Sequence, residues 1–76
     1  MSDKIFVIKN DNEGIISFYN NLEKAKNELK NIYNKTIDFK HYNYKINVYK
    51  LVDNEYIITN LSYIYNFDEF LTKISI

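Results

Sequence analysis

Between Ile15 and Tyr33 the spacing of apolar residues changes from that of a strand to that of a helix. Leu22, Ala25, Leu29, Ile32 and Tyr33 recur at helical intervals, while Glu23, Lys24, Lys26, Asn27, Glu28, Lys30 and Asn31 fill the opposite side. This pattern predicts an amphipathic helix from about residue 21 to 34 lying on a sheet. Asn20 is the expected cap, with Glu23 three residues on reaching back to it. Lys30 and Lys35 suit the negative end of the helix dipole, and no glycine or proline marks the stop. On this assignment Leu29→Asp abolishes folding and Lys26→Asp is nearly silent.

The flanking segments read as strands. Lys4 to Lys9 has four consecutive apolar positions, as expected of a central strand covered on both faces. A polar loop, Asn10 to Gly14, turns it into Ile15–Tyr19, with Gly14 suited to positive φ. Simple alternation in this hairpin groups Phe6, Ile8, Ile16 and Phe18 against Ile5, Val7, Ile15 and Tyr19. Thr36 to Asn43 reads as a loop with some extended structure. Tyr44 to Val52 alternates, with Tyr44, Ile46, Val48 and Val52 on one side and Lys45, Asn47, Tyr49 and Leu51 on the other. Asp53 and Asn54 make a two-residue hairpin turn into a strand from Glu55 to about Asn60. Asn66 and Glu69 then repeat the cap spacing, and Phe67, Phe70, Leu71 and Ile74 fall at helical intervals, predicting a short second helix. The expected fold is therefore one α+β domain over residues 1–76, with an antiparallel sheet of about four strands in ββαββα order.

Composition narrows the function. With 76 residues the apolar core is small, so oligomerisation or docking on a partner is the expected support. Cysteine is absent and there is one histidine, which removes disulfides and makes a structural zinc site improbable. Ten basic residues balance ten acidic ones, so no overall field favours nucleic acid or an anionic membrane. No signal peptide or membrane-spanning run is read, and the cytoplasm is the expected location. Asn and Ile occur twelve times each, Lys ten and Tyr eight, while Arg, Gln, Pro and Trp are absent. These preferences share A/T-rich codons and reflect genome composition more simply than chemistry.

The N-terminal stretch KIFVIKNDNEGIISFYNNLEKAKNEL and the strand YKINVYKLVDNEY together resemble small ββαβ proteins of large DNA viruses and bacteriophages. The resemblance covers roughly half the chain and implies a fold and a viral or mobile-element setting, with no activity and no functional residues attached. The segment after Tyr56 departs from the shorter pattern.

No catalytic constellation emerges. His41 stands without a second histidine or a cysteine, and Ser17, Thr59 and Ser62 lie in strand-like runs without a nucleophile elbow. Asp68 and Glu69 read as helix-start acids, and a calcium-loop reading of the first turn fails at Lys9 and Asn20. No cofactor is expected. The sharpest feature outside the core is Lys40–Lys50, where lysines and aromatic residues interleave. Lys40, His41, Tyr42, Lys45, Tyr49 and Lys50 are the expected protein-binding residues, because tyrosines bury area at low entropic cost beside charges that select the partner. Single-stranded nucleic acid is a weaker alternative, since such aromatics can also stack bases. The expectation is a non-enzymatic interaction protein of a virus or phage that inhibits or modulates another protein, with host defence as one option for the target. A virion component and a homodimeric accessory protein are the alternatives.

Overall fold

The computed structural model describes residues 3–66 and 69–74, and shows an α+β domain with one helix on one face of a five-stranded antiparallel sheet. Strands β1 (Lys4–Asn10) and β2 (Gly14–Tyr19) precede helix α1 (Leu22–Lys35). A single 3-10 turn (Phe39–Tyr42) leads into β3 (Lys45–Val52), β4 (Glu55–Asn66) and β5 (Glu69–Ile74). The spatial order β2-β1-β3-β4-β5 puts β1 inside the sheet, as expected of a central strand, but the helix covers one of its faces and not both.

The first two hairpin turns take their conformation from residue type. Gly14 has φ 75°, and Asp53 and Asn54 have φ 50° and 67°, the left-handed pair that matches the twist of a two-residue hairpin. In the first loop the Asn10 side-chain oxygen accepts from the backbone N–H groups of Asn12 (3.0 Å) and Glu13 (2.6 Å). That Asx turn satisfies a side chain which is otherwise buried.

Four expectations are corrected. The helix cap is Asn21, one residue later than Asn20, and its Oδ1 accepts from the N–H groups of Glu23 (2.8 Å) and Lys24 (3.2 Å). Two adjacent asparagines offer the same chemistry, and it is Asn21 that holds the extended backbone of a cap, with φ −140° and ψ 128°. Asn21→Ala removes both bonds and is expected to cost about 1 kcal/mol, read as a lower urea midpoint with an unchanged slope.

In the first hairpin a bulge between Ile8 and Lys9 breaks simple alternation. Tyr19 therefore joins Phe6 on the helix-facing side, and Phe18 joins Val7 on the other.

The third correction concerns the C-terminus. Where a second helix was expected, β4 continues to Asn66 and β5 pairs back along it, Leu61 with Ile74 through Asn66 with Glu69. Phe67 and Asp68 lie outside the described residues. Six residues carrying Phe70, Leu71, Thr72 and Ile74 fit either period, and β4 offers an unpaired backbone edge that only a strand can satisfy. The sheet thus gains a fifth strand, and one helix is left to cover it.

The core sits under α1. Ile8, Ala25, Leu29, Phe39, Ile46 and Tyr65 form its buried cluster, with Phe6, Tyr19, Ile32, Tyr33, Tyr44, Tyr63 and Phe70 packed around it. The 3-10 turn belongs to this core: Phe39 stacks on Tyr44 (4.8 Å between ring centroids) and meets Tyr33 edge-on (5.0 Å). The turn is tied to the first loop, since Asp11 N–H donates to the Tyr42 carbonyl (3.0 Å) and Asn43 Nδ2 to Asp11 Oδ2 (3.2 Å). The rim of the helix also contributes. Lys26 lies over the rings of Tyr63 (5.6 Å) and Phe70 (5.1 Å), and Lys30 over Phe70 (5.8 Å). Lys26 is consequently a packing residue, which overturns the expectation that Lys26→Asp is nearly silent.

Candidate functional site

In an antiparallel sheet, directly paired residues share a face, so the register assigns every strand side chain. Phe6, Ile8, Ile46, Val48, Tyr63, Tyr65 and Phe70 face the helix. The opposite face carries three cross-sheet rows. One runs through Ile15, Lys9 and Lys45 toward Ile64 and Leu71; the next through Phe18, Val7, Asn47, Ser62 and Lys73; the third through Ile5, Tyr49 and Ile58. Leu51 and Tyr56 pair beyond them.

No described element covers this second face. Its consequence is apolar exposure well beyond scattered surface residues: Phe18 is 66% exposed, Ile15 62%, Ile58 48%, and Tyr56 and Leu71 41% each. Val7 is buried there because Phe18 and Asn47 stand on either side of it in its row. Lys9 bends along the sheet, its Nζ donating to the Tyr49 hydroxyl (3.4 Å) and lying 5.7 Å from the ring centroid. Asn47 Oδ1 is a buried acceptor with no hydrogen-bond partner.

The residues expected to bind a partner do not form one surface. Lys45 and Tyr49 lie on the uncovered face. Lys50 pairs with Lys4 on the helix-facing side, at the end of the sheet. His41 and Tyr42 belong to the 3-10 turn, their rings edge-to-face at 5.4 Å. The Lys40 side chain lies outside what the structure describes. Sequence reasoning missed Phe18, Ile58, Leu71, Lys9 and Lys73, which the sheet brings together from four strands. Alternation within β4 points to the pairing of Tyr56 with Ile58 on one side, but nothing in one segment reveals that the side is unroofed.

The residues weighed for catalysis occupy separate elements. The Ser17 hydroxyl is buried on the helix side of β2 without a hydrogen-bond partner. Thr59 donates to the Val48 carbonyl (2.8 Å) and accepts from Leu61 N–H (3.2 Å), which fixes the irregular pairing between β3 and β4. Ser62 lies on the uncovered face and His41 in the 3-10 turn. An open depression of about 390 Å³ beside His41 is lined by Tyr33, Thr36, Ile37, Asp38 and Phe39. A groove of about 360 Å³ between β2 and α1 is bordered by Ile16, Ser17, Glu28, Ile32, Lys35 and Tyr44. Among the described residues no group of three or more His, Cys, Asp or Glu side chains is placed to hold a metal ion, and no helix is long and apolar enough to cross a membrane. Comparison with protein-family models, with curated proteins and with solved structures finds no match.

Proposed function

We propose that this chain is a small non-enzymatic interaction protein that inhibits or modulates another protein, and that the uncovered sheet face is its contact surface. The observation that carries the reading is a set of five exposed apolar residues on a face that no described element covers, Ile15, Phe18, Tyr56, Ile58 and Leu71. Removing such a patch from water stabilises a complex at roughly 25 cal/mol per Å² of apolar area, and patches of this kind mark binding sites on small proteins. The resemblance of residues 4–29 and 44–56 to proteins of large DNA viruses and phages supports a viral setting, in which a host-defence protein is one natural target.

Affinity capture from infected or host cells tests the reading. Phe18→Asp/Ile58→Asp is the control, because both positions are exposed and the double substitution leaves the helix-covered core intact. Tyr42 and Tyr49 serve less well, since they lie in different parts of the fold. Recovery of one stoichiometric protein by the wild type, lost in a variant with an unchanged circular dichroism spectrum, is the expected result. Recovery that is equal with both chains overturns the assignment of this face.

A further inference from the structure

The uncovered face carries charge as well as apolar area, and lysines outnumber carboxylates on it. Lys9 and Lys45 are direct neighbours in one row, and Lys73 closes the next row beside Ser62. Among the described residues the pairing puts one strand carboxylate on this face, Glu69, at the outer corner where β5 begins. It lies four positions from Lys73, about 13 Å along an extended strand. The chain as a whole is neutral, so this excess is a local arrangement and not a reflection of composition.

Resting on the reading that this face binds protein, we infer that its partner presents an acidic segment, Asp or Glu residues flanking an apolar stripe. The apolar stripe covers Phe18, Val7, Tyr49 and Ile58, and the carboxylates meet Lys45 and Lys73, the two lysines for which no contact to Tyr49 diverts the ammonium group. Charge complementarity of this kind accelerates encounter and rejects wrong partners. A second copy stacked sheet to sheet is disfavoured, because it brings three ammonium groups into the same layer as three more, against a single Glu69 carboxylate from each copy. Nucleic acid shares the negative charge, but three of the five exposed large apolar side chains on the face, Ile15, Ile58 and Leu71, are aliphatic. Such side chains offer no ring for base stacking.

Selection of a displayed random dodecapeptide library against the immobilised full chain tests the inference. Peptides enriched in Asp and Glu beside apolar residues are expected, with affinity falling as salt rises. Lys45→Glu/Lys73→Glu should weaken them by about tenfold or more and redirect selection toward Lys-rich and Arg-rich peptides, while Phe18→Asp/Ile58→Asp removes enrichment altogether. Apolar peptides without charge bias, lost in the Phe18→Asp/Ile58→Asp variant, overturn the acidic partner and leave the binding face standing. Tighter retention of oligo(dT) than of any selected peptide assigns the lysines to nucleic acid and overturns the inference. A lack of enrichment overturns it too; a dimer in light scattering that Phe18→Asp/Ile58→Asp dissociates then gives the face to a second copy, and a monomer removes the binding face as well.

Discussion

Leu29→Asp is expected to leave the chain unfolded at room temperature, with the helical circular dichroism signal lost and no cooperative melt. Leu29 is fully buried between α1 and the sheet, in a cluster with Ile8 and Ile46 that is also inaccessible to water. An aspartate there either carries an unpaired charge into an apolar layer or takes up a proton at neutral pH, and in both cases the Leu packing is lost. Such a substitution costs about 4–5 kcal/mol or more, whereas a chain of this length has a total stability on the order of 4–11 kcal/mol at 0.05–0.15 kcal/mol per residue. Lys26→Asp gives the graded comparison. It removes the cation above Phe70 and Tyr63 and is expected to cost about 1–2 kcal/mol, with the fold retained. Asn27→Ala, on the exposed side of the same helix, is expected to change stability by less than about 0.5 kcal/mol. Equal melts for Leu29→Asp and Asn27→Ala would contradict the helix orientation.

The second large effect falls on a residue outside the regular elements that cross the sheet. Phe39→Ala is expected to cost about 3–4 kcal/mol, because Phe39 is buried and its ring is held between Tyr44 and Tyr33. At roughly 4–8 °C per kcal/mol for a domain of this size, the thermal midpoint drops by more than 10 °C. Ile37, two residues earlier, is fully exposed, and Ile37→Ala is expected to leave the midpoint within about 2 °C. The pair distinguishes a packed 3-10 turn from a mobile connection: similar small shifts for both would remove Phe39 from the core. The expected loss extends to Tyr33 and Tyr65, whose rings meet at 5.0 Å in the same cluster.

Elements with strong local signals were legible in the chain. The helix followed from Leu22, Ala25, Leu29 and Ile32, the second hairpin from Asp53 and Asn54, and the first loop from Asn10 and Gly14, because each depends on side chains within a few residues of one another. Phe39 was not legible, since a single aromatic in a polar connection has no period, and its burial comes from Tyr33 and Tyr44 on either side of it in sequence.

The sequence by itself therefore determined the α+β class, the buried side of α1 and the alternation that separates Ile46 and Val48 from Lys45, Asn47 and Tyr49. Tertiary structure decided three things. It made Glu69–Ile74 a strand, because β4 supplied an edge whose hydrogen bonds a helix cannot complete. It turned Phe18 away from the helix, because the bulge opposite Ile8 reverses the side on which later residues of β2 emerge. It also gathered Lys9, Lys45 and Lys73 among exposed apolar residues, because a face is assembled across strands far apart in sequence, and one helix cannot roof both sides of the sheet they form.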